Sequence, residues 1–248
     1  MDERLASLAD EVRAANTVVA FTGAGVSTAS GIPSFRGEDG VWKTQFHPND
    51  FSYGRLLSKP AGFWTDRLAL HEAMYPDDAA PNPAHEALTA MESAGRLSAV
   101  VTQNTDGLHL AAGSRRVVEL HGNNSRVVCL DCGERSDAAA ARARVRDGDN
   151  PPHCDCGGLL KPDVVLFGES LPEDEMAEAS RLARESDVFL AIGSSLTVEP
   201  AASLPTTAAQ NGTLAVLNRE ETPADRHADY VFREDVTDLL PALADTVV

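Results

Sequence analysis

TVVAFT (Thr17–Thr22), running directly into GAGVS (Gly23–Ser27), decides how the rest of this chain is read. The first six residues are all β-branched or apolar, the pattern of a strand buried on both faces. Small residues just past such a strand let backbone N–H groups approach an anion such as a pyrophosphate, and a helix start beyond them favours negative charge. The dinucleotide fingerprint is incomplete, because Thr28 occupies the third glycine position. On this motif alone, a tight turn without a ligand is an equal reading.

Outward from this stretch the same grammar repeats. Leu97–Thr102, Val117–Leu120, Val188–Gly193, Thr213–Leu217 and Tyr230–Phe232 read as further strands. Helical spacing covers Asp2–Ala15, where Leu5, Leu8, Ala9 and Val12 share a face. It also covers Pro83–Ala94, capped by Asn82 and stopped by Gly95, as well as Pro172–Glu185 and the segment from Val236 onward;. Apolar strands alternating with helices imply an α/β fold: a Rossmann-like parallel sheet covered by helices on both faces. Ligands then bind beyond the carboxyl ends of the strands, in the loops after Phe21, Thr102, Leu120, Ile192 and Leu217. Two stretches break the pattern, 43–81 and 123–161, and read as insertions forming a smaller helical and cysteine-bearing lobe. The sheet domain is then 1–42, 82–122 and 162–248.

With 38 acidic against 21 basic residues the formal charge is −17. A phosphate backbone or an anionic membrane surface would be repelled, so neither nucleic acid nor membrane is an expected partner. The acidity suits a salt-rich solvent or basic partners such as lysine-rich tails. The start Met1-Asp-Glu-Arg4 has no basic and apolar leader, which suggests a cytoplasmic protein;. In a reducing compartment the four cysteines read as metal ligands;. Cys129 and Cys132, then 21 residues, then Cys154 and Cys156 make two close pairs, the pattern of a zinc ribbon with a structural Zn²⁺;. The second pair encloses one residue rather than two, so His153 is a possible substitute ligand.

Four further elements follow in order: SGIPSFRG (Ser30–Gly37), TQNTDGLH (Thr102–His109), VELHGN (Val118–Asn123) and GSSLTVEPA (Gly193–Ala201). Together, with a cysteine module between the last two, they resemble the sirtuin family of NAD-dependent protein deacylases, from Phe21 to about Val236. The resemblance implies NAD as a consumed co-substrate. Gly23, Ala24 and Gly25 would cradle its pyrophosphate. Phe35 and Arg36 would close over it, and Gln103 and Asn104 would hold the nicotinamide-side ribose. Ile32 and Asp106 would bind the carboxamide, which donates two hydrogens and so suits an acidic acceptor. Gly193, Ser194 and Ser195 would meet the phosphates and adenosine ribose, Asn218 the same ribose, and Asp235 and Val236 the adenine.

Catalysis would fall to His121, with Asn104. Cleaving the nicotinamide–ribose bond builds positive charge on the sugar, the amide oxygen of an acyl-lysine captures it, and a base near neutral pKa must then activate a ribose hydroxyl. The products would be lysine, nicotinamide and O-acyl-ADP-ribose. His109 reads as structural. Val165, Phe167, Gly168 and Glu169 would pair with the acylated substrate peptide as an added strand. Trp64 and Arg67 stand where a subset of the family that removes succinyl or malonyl groups carries tyrosine and arginine, so acidic acyl chains are expected as well as acetyl. The same residues also suit protein mono-ADP-ribosylation or a non-catalytic NAD-binding module; a dehydrogenase lacks both the full glycine fingerprint and a proton relay.

Overall fold

A computed structural model describes residues 3–34, 41–76 and 78–248. Its strands are β1 (Val18–Thr22), β2 (Ala99–Thr102), β3 (Val117–Glu119), β4 (Gly122–Cys129), β5 (Arg135–Asp137), β6 (Leu160–Val164), β7 (Val188–Ile192), β8 (Thr213–Leu217) and β9 (Tyr230–Phe232). Six of them form one sheet in the order β3-β2-β1-β7-β8-β9. Every pairing in it is parallel. Counted within this sheet the order is that of a doubly wound Rossmann sheet, with its switch point between β1 and β7.

The expected strands are therefore present, and the reason lies in their composition. β1, β2 and β7 are buried at every position, which only a strand covered on both faces can be;. One face packs Leu8 and Val12 of the first helix, Leu88 and Met91 of the helix Pro83–Ser93, and Leu240 and Leu243 of the helix Val236–Val247. The other packs Leu182 of the helix Glu173–Glu185, with Phe21 and Phe189 stacked at 6.0 Å between ring centroids. Each fully buried aliphatic or aromatic side chain of this kind is worth about 1.5–3 kcal/mol. Asn82 caps the helix Pro83–Ser93 as its sequence suggests, its side chain accepting from the Ala84 N–H.

The second sheet is antiparallel, in the order β5-β4-β6. It packs with the helices Tyr53–Ser58, Pro60–Met74 and Ala138–Arg146 around Leu56, Phe63, Trp64 and Val127. β4 has no counterpart in the sequence reading, because its polar residues GNNSR precede a short apolar end and a bulge breaks its register between Gly122 and Val127. We propose the expected domain limits as the limits of the two lobes, with β4 and β6 straddling the boundaries at 122 and 162.

Candidate active site

Beyond the carboxyl ends of β1, β2 and β7, the loops enclose a cavity of about 820 Å³. Gly23, Ala24 and Gly25 form one wall, Gln103 and Asn104 a second, and Gly193, Ser194 and Ser195 a third. His121, four residues past the start of β3, lines the same space. The glycines have a reason that the sequence does not display. A Cβ on Gly25 would sit 2.8 Å from the Gly193 carbonyl oxygen and 2.9 Å from its Cα. One on Gly23 would meet Ser194 at 2.8 Å. The glycine turn is thus built first to touch the β7 loop, with the Gly25 N–H donating to the Gly193 carbonyl at 2.8 Å.

His121 donates from Nδ1 to the Gln103 carbonyl oxygen at 2.8 Å, because a carbonyl can only accept;. That bond sets the tautomer and leaves Nε2 as the basic nitrogen. The Gln103 side chain in turn donates to Ser194 Oγ at 2.8 Å, tying the β2 loop to the β7 loop.

A small side pocket opens off the cavity, sharing Ala24, Asn104 and Thr105 with it and lined further by Ile32, Tyr75 and Asp106. Asp106 is held there from two sides: its Oδ1 accepts from the Leu108 N–H at 2.9 Å and its Oδ2 from the Ser27 hydroxyl at 2.8 Å. Burial raises the Asp106 carboxyl above its ordinary pKa, against the opposing pull of those two bonds. Ser27 also accepts from Asn104 Nδ2 at 3.1 Å and lies 3.4 Å from His85 Nε2. Ser27 and His85 were missed by the sequence reading; Ser27 sits inside the glycine motif, whereas His85 shows only as an ordinary helix residue.

A family model described as the Sir2 family matches residues 23–200. The chain belongs to the Sir2 family. It is 59% identical over 246 residues to an NAD-dependent protein deacetylase of Haloarcula marismortui, covering 98% of this chain and 94% of that one. It is 39% identical over 250 residues to NAD-dependent protein deacylase 2 of Archaeoglobus fulgidus, covering 100% and 97%. Among solved structures, a Sir2–p53 peptide–NAD⁺ complex superposes with a TM-score of 0.85 at 36% identity, covering 96% of each chain. A Sir2 histidine-to-alanine variant with deacetylated p53 peptide and 3′-O-acetyl ADP-ribose gives 0.88 at 34% identity, covering 97% of each.

The adenosine-side residues of the family reading also line the cavity: Asn218, Asp235 and Val236. Asp235 caps the last helix, accepting from the Thr237 N–H at 2.9 Å, and is ion-paired to Arg219. Those bonds hold its carboxyl below the usual carboxylate range, the Thr237 N–H being the largest cause. Glu199, Arg219 and Glu220 stand on the same wall without having been foreseen. Phe35 and Arg36 lie outside the described residues.

Two substrate-side expectations need correcting. Trp64 does not reach the cavity. It is 1% exposed in the core of the small lobe, and its Nε1 donates to the Leu160 carbonyl at 3.0 Å, so it has no donor left for an acyl group. The segment Val165–Glu169 lines the cavity but is a loop, since β6 ends at Val164. Phe167 cannot pair with a peptide through its main chain: its N–H donates to the Phe51 carbonyl at 3.2 Å and its carbonyl accepts from the Tyr53 N–H at 3.0 Å. Glu169 is likewise engaged, its Oε2 accepting from the Leu166 N–H at 2.8 Å and meeting Lys161 Nζ at 3.1 Å. The Val165 carbonyl and the Gly168 main chain have no hydrogen-bond partner among the described residues.

The four cysteines converge, and His153 is not among them. All four sulfurs lie within 4.8 Å of one another. Cys129 and Cys156 are 3.5 Å apart, Cys132 and Cys154 3.8 Å. A tetrahedral Zn²⁺ with bonds of about 2.3 Å has sulfur–sulfur edges of about 3.8 Å, so the set fits the ion. Cys129, Cys132, Cys154 and Cys156 would hold it, and it would serve as a cross-link. The short second pair is accommodated by the Gly157–Gly158 turn: a Cβ on Gly158 would fall 2.5 Å from Cys129 Sγ. The Cys129 thiol is drawn down to about 7, chiefly by the Cys132 N–H, while against the pull of backbone N–H bonds the crowding of the sulfurs raises the other three.

Proposed function

We propose that this protein removes acyl groups from lysine side chains of an extended peptide, consuming NAD and releasing nicotinamide and O-acyl-ADP-ribose. The observation that carries this is the meeting of His121, Asn104, the glycine turn and the Asp106 side pocket around one cavity. NAD, when bound, supplies the glycosidic bond whose cleavage drives the reaction and the ribose that accepts the acyl group. Asp106 offers the carboxamide an acceptor in a pocket that Ile32 and Tyr75 keep narrow. Asn104, held by Ser27, faces the same junction. His121 Nε2 takes the proton of a ribose hydroxyl, while the Gln103 carbonyl steadies the imidazolium that results;. On the substrate side, the Val165 carbonyl can accept an amide N–H. Clustered thiols suit a reducing compartment, which favours the cytoplasm;.

Mass spectrometry of acetyl-lysine peptide incubated with NAD is the test. O-acetyl-ADP-ribose and deacetylated peptide should appear together, and His121→Ala should lower their rate by about 10²–10⁴-fold. ADP-ribose attached to protein, with no requirement for an acyl-lysine, would replace this reading with transferase activity.

One observation favours acidic acyl chains as a second class of substrate. Arg67 lines the cavity, and its Nη2 donates to the neutral Asn124 Oδ1 with no carboxylate paired to it among the described residues. Burial, with a smaller contribution from Arg142, lowers its pKa, although the nearby Tyr75 opposes that shift. A guanidinium so placed is short of an anion. Arg67→Ala should then reduce succinyl-lysine turnover by about tenfold or more while sparing acetyl-lysine; an unaltered succinyl rate discards the idea.

A further inference from the structure

The loop Val165–Glu169 forms the peptide side of the cavity, yet it is neither helix nor strand. Its shape is set by a lysine four residues before it. Lys161 lies in β6 with its side chain 10% exposed. An ammonium has three donors. Here they meet the Pro162 carbonyl at 3.2 Å, the Val164 carbonyl at 2.7 Å and Glu169 Oε2 at 3.1 Å. The same Glu169 oxygen accepts from the Leu166 N–H at 2.8 Å, and the Glu169 N–H closes onto the Leu166 carbonyl at 3.0 Å. The ion pair therefore bridges the end of β6 to the far end of the loop and binds its middle.

Two outer attachments complete the arrangement. The Val165 N–H donates to the His121 carbonyl at 2.9 Å, and Phe167 is tied on both main-chain groups to Phe51 and Tyr53. The His121 attachment couples the loop to the backbone of the residue that carries the base. Gly168, at φ +87°, makes the reversal that brings Glu169 back toward Lys161. Among the described residues the Val165 carbonyl, the Gly168 main chain and the Glu169 carbonyl are the loop backbone groups left without a partner, and the first two are the ones offered to a peptide. A fully satisfied, largely buried pair adds little net stability, but removing one partner strands the other. Such a pair selects one conformation.

We propose that Lys161 and Glu169 are positioning residues, an ionic clamp that presents the Val165 carbonyl and the Gly168 main chain to the substrate peptide and so sets its affinity. The inference rests on the reading that acyl-peptide binds along this loop. It also reassigns the Glu169 carboxylate, which holds the loop and does not itself bind the peptide.

Steady-state kinetics with acyl-peptide and NAD varied separately provide the test. In Glu169→Gln and Lys161→Met the peptide KM should rise about tenfold or more, the scale of one lost charge-assisted hydrogen bond. The NAD KM should stay within about twofold of wild type, since the glycine turn is untouched. Lys161→Arg, which keeps the charge and the donors, should recover most of the loss. Hydrogen exchange should quicken at Leu166 and Glu169 in the variants while β1 and β7 stay protected. If Lys161→Met does not fold, the near-isosteric Glu169→Gln carries the measurement. Equal changes in both KM values together with a general loss of protection would reduce the pair to ordinary structure, and an unchanged peptide KM would overturn the clamp. A wild-type enzyme whose nicotinamide release ignores acyl-peptide would instead sink the deacylase reading beneath it.

Discussion

β1 and β7 of the large sheet are buried at every position, whereas β5 of the small sheet is exposed at every position. The large sheet is closed by apolar helices on both faces, so its stability comes from area removed from water;. The small lobe has one compact cluster around Phe63 and Trp64, to which the segment Cys129–Cys156 gives as buried members only Cys129 and the small face Ala138, Ala141 and Val145 of one helix. Its two cysteine loops are joined by backbone bonds such as Leu130 N–H to the Leu159 carbonyl at 3.0 Å, and their four sulfurs converge as a metal site would need. One lobe is a solvent-driven core and the other leans on coordination chemistry. Yet both contribute to one cavity, with His121 and the glycine turn on one side and Val165–Gly168 and Arg67 on the other.

Chelation should separate them most sharply. Structural zinc contributes about 10 kcal/mol or more in small metal-dependent folds, so metal removal should strip amide protection from β4–β6. The β1 and β7 amides should remain protected, and acyl-peptide turnover should cease. Simultaneous unfolding of both lobes would show that the large sheet is not self-sufficient.

Acid should strike in the opposite place. His85 and His109 are buried on the large-sheet side, and burial lowers them from 6.5 to about 4 and about 3. Their folded pKa values lie below the unfolded value, so the unfolded chain binds more protons between those limits. The stability they give is complete above about pH 6.5 and is lost as pH falls toward 3, on the order of 2 kcal/mol for each histidine by pH 5 and more below it. His71 in the small lobe is also lowered to about 4, by burial first and by Arg142, Arg67 and Arg146, but it is only half buried and counts for less;. Urea midpoints of the β1 and β7 amides at pH 7 and pH 5 check this, and a His109→Gln variant should flatten the dependence. A midpoint indifferent to pH would refute it.

Gly25→Ala should give the smallest effect. Its methyl group would press on the Gly193 backbone, which has no flexible end to yield. A cost of about 1–3 kcal/mol in stability is expected, with a weaker NAD KM. Thermal melts with and without ADP-ribose read both; an unshifted melt would mean the two loops can part freely.

The large lobe was legible because its signals are local. A run such as VFLAI at β7 reads as a doubly buried strand wherever it occurs, and the loops after such strands are where ligands sit in open α/β sheets;. The glycine turn, Asn104, Asp106 and His121 each follow a strand end closely, so sequence order alone placed them on one rim. The small lobe was legible in its cysteines and little else. β4 carries polar residues and a bulge, Trp64 carries an indole that could have faced either way, and neither tells its own orientation.

By itself, the sequence determined the parallel sheet, the loops that share one rim with His121 and the pairing of the four cysteines, because each depends on neighbours within a few residues. Tertiary structure decided which residues fill the gaps between loops. It turned Trp64 into the core, set His85 behind Ser27, pressed Gly25 against Gly193, and joined Lys161 to Glu169. Such contacts depend on the paths of separate chain segments through space, and an ordinary lysine or histidine bears no local mark of the partner it will meet.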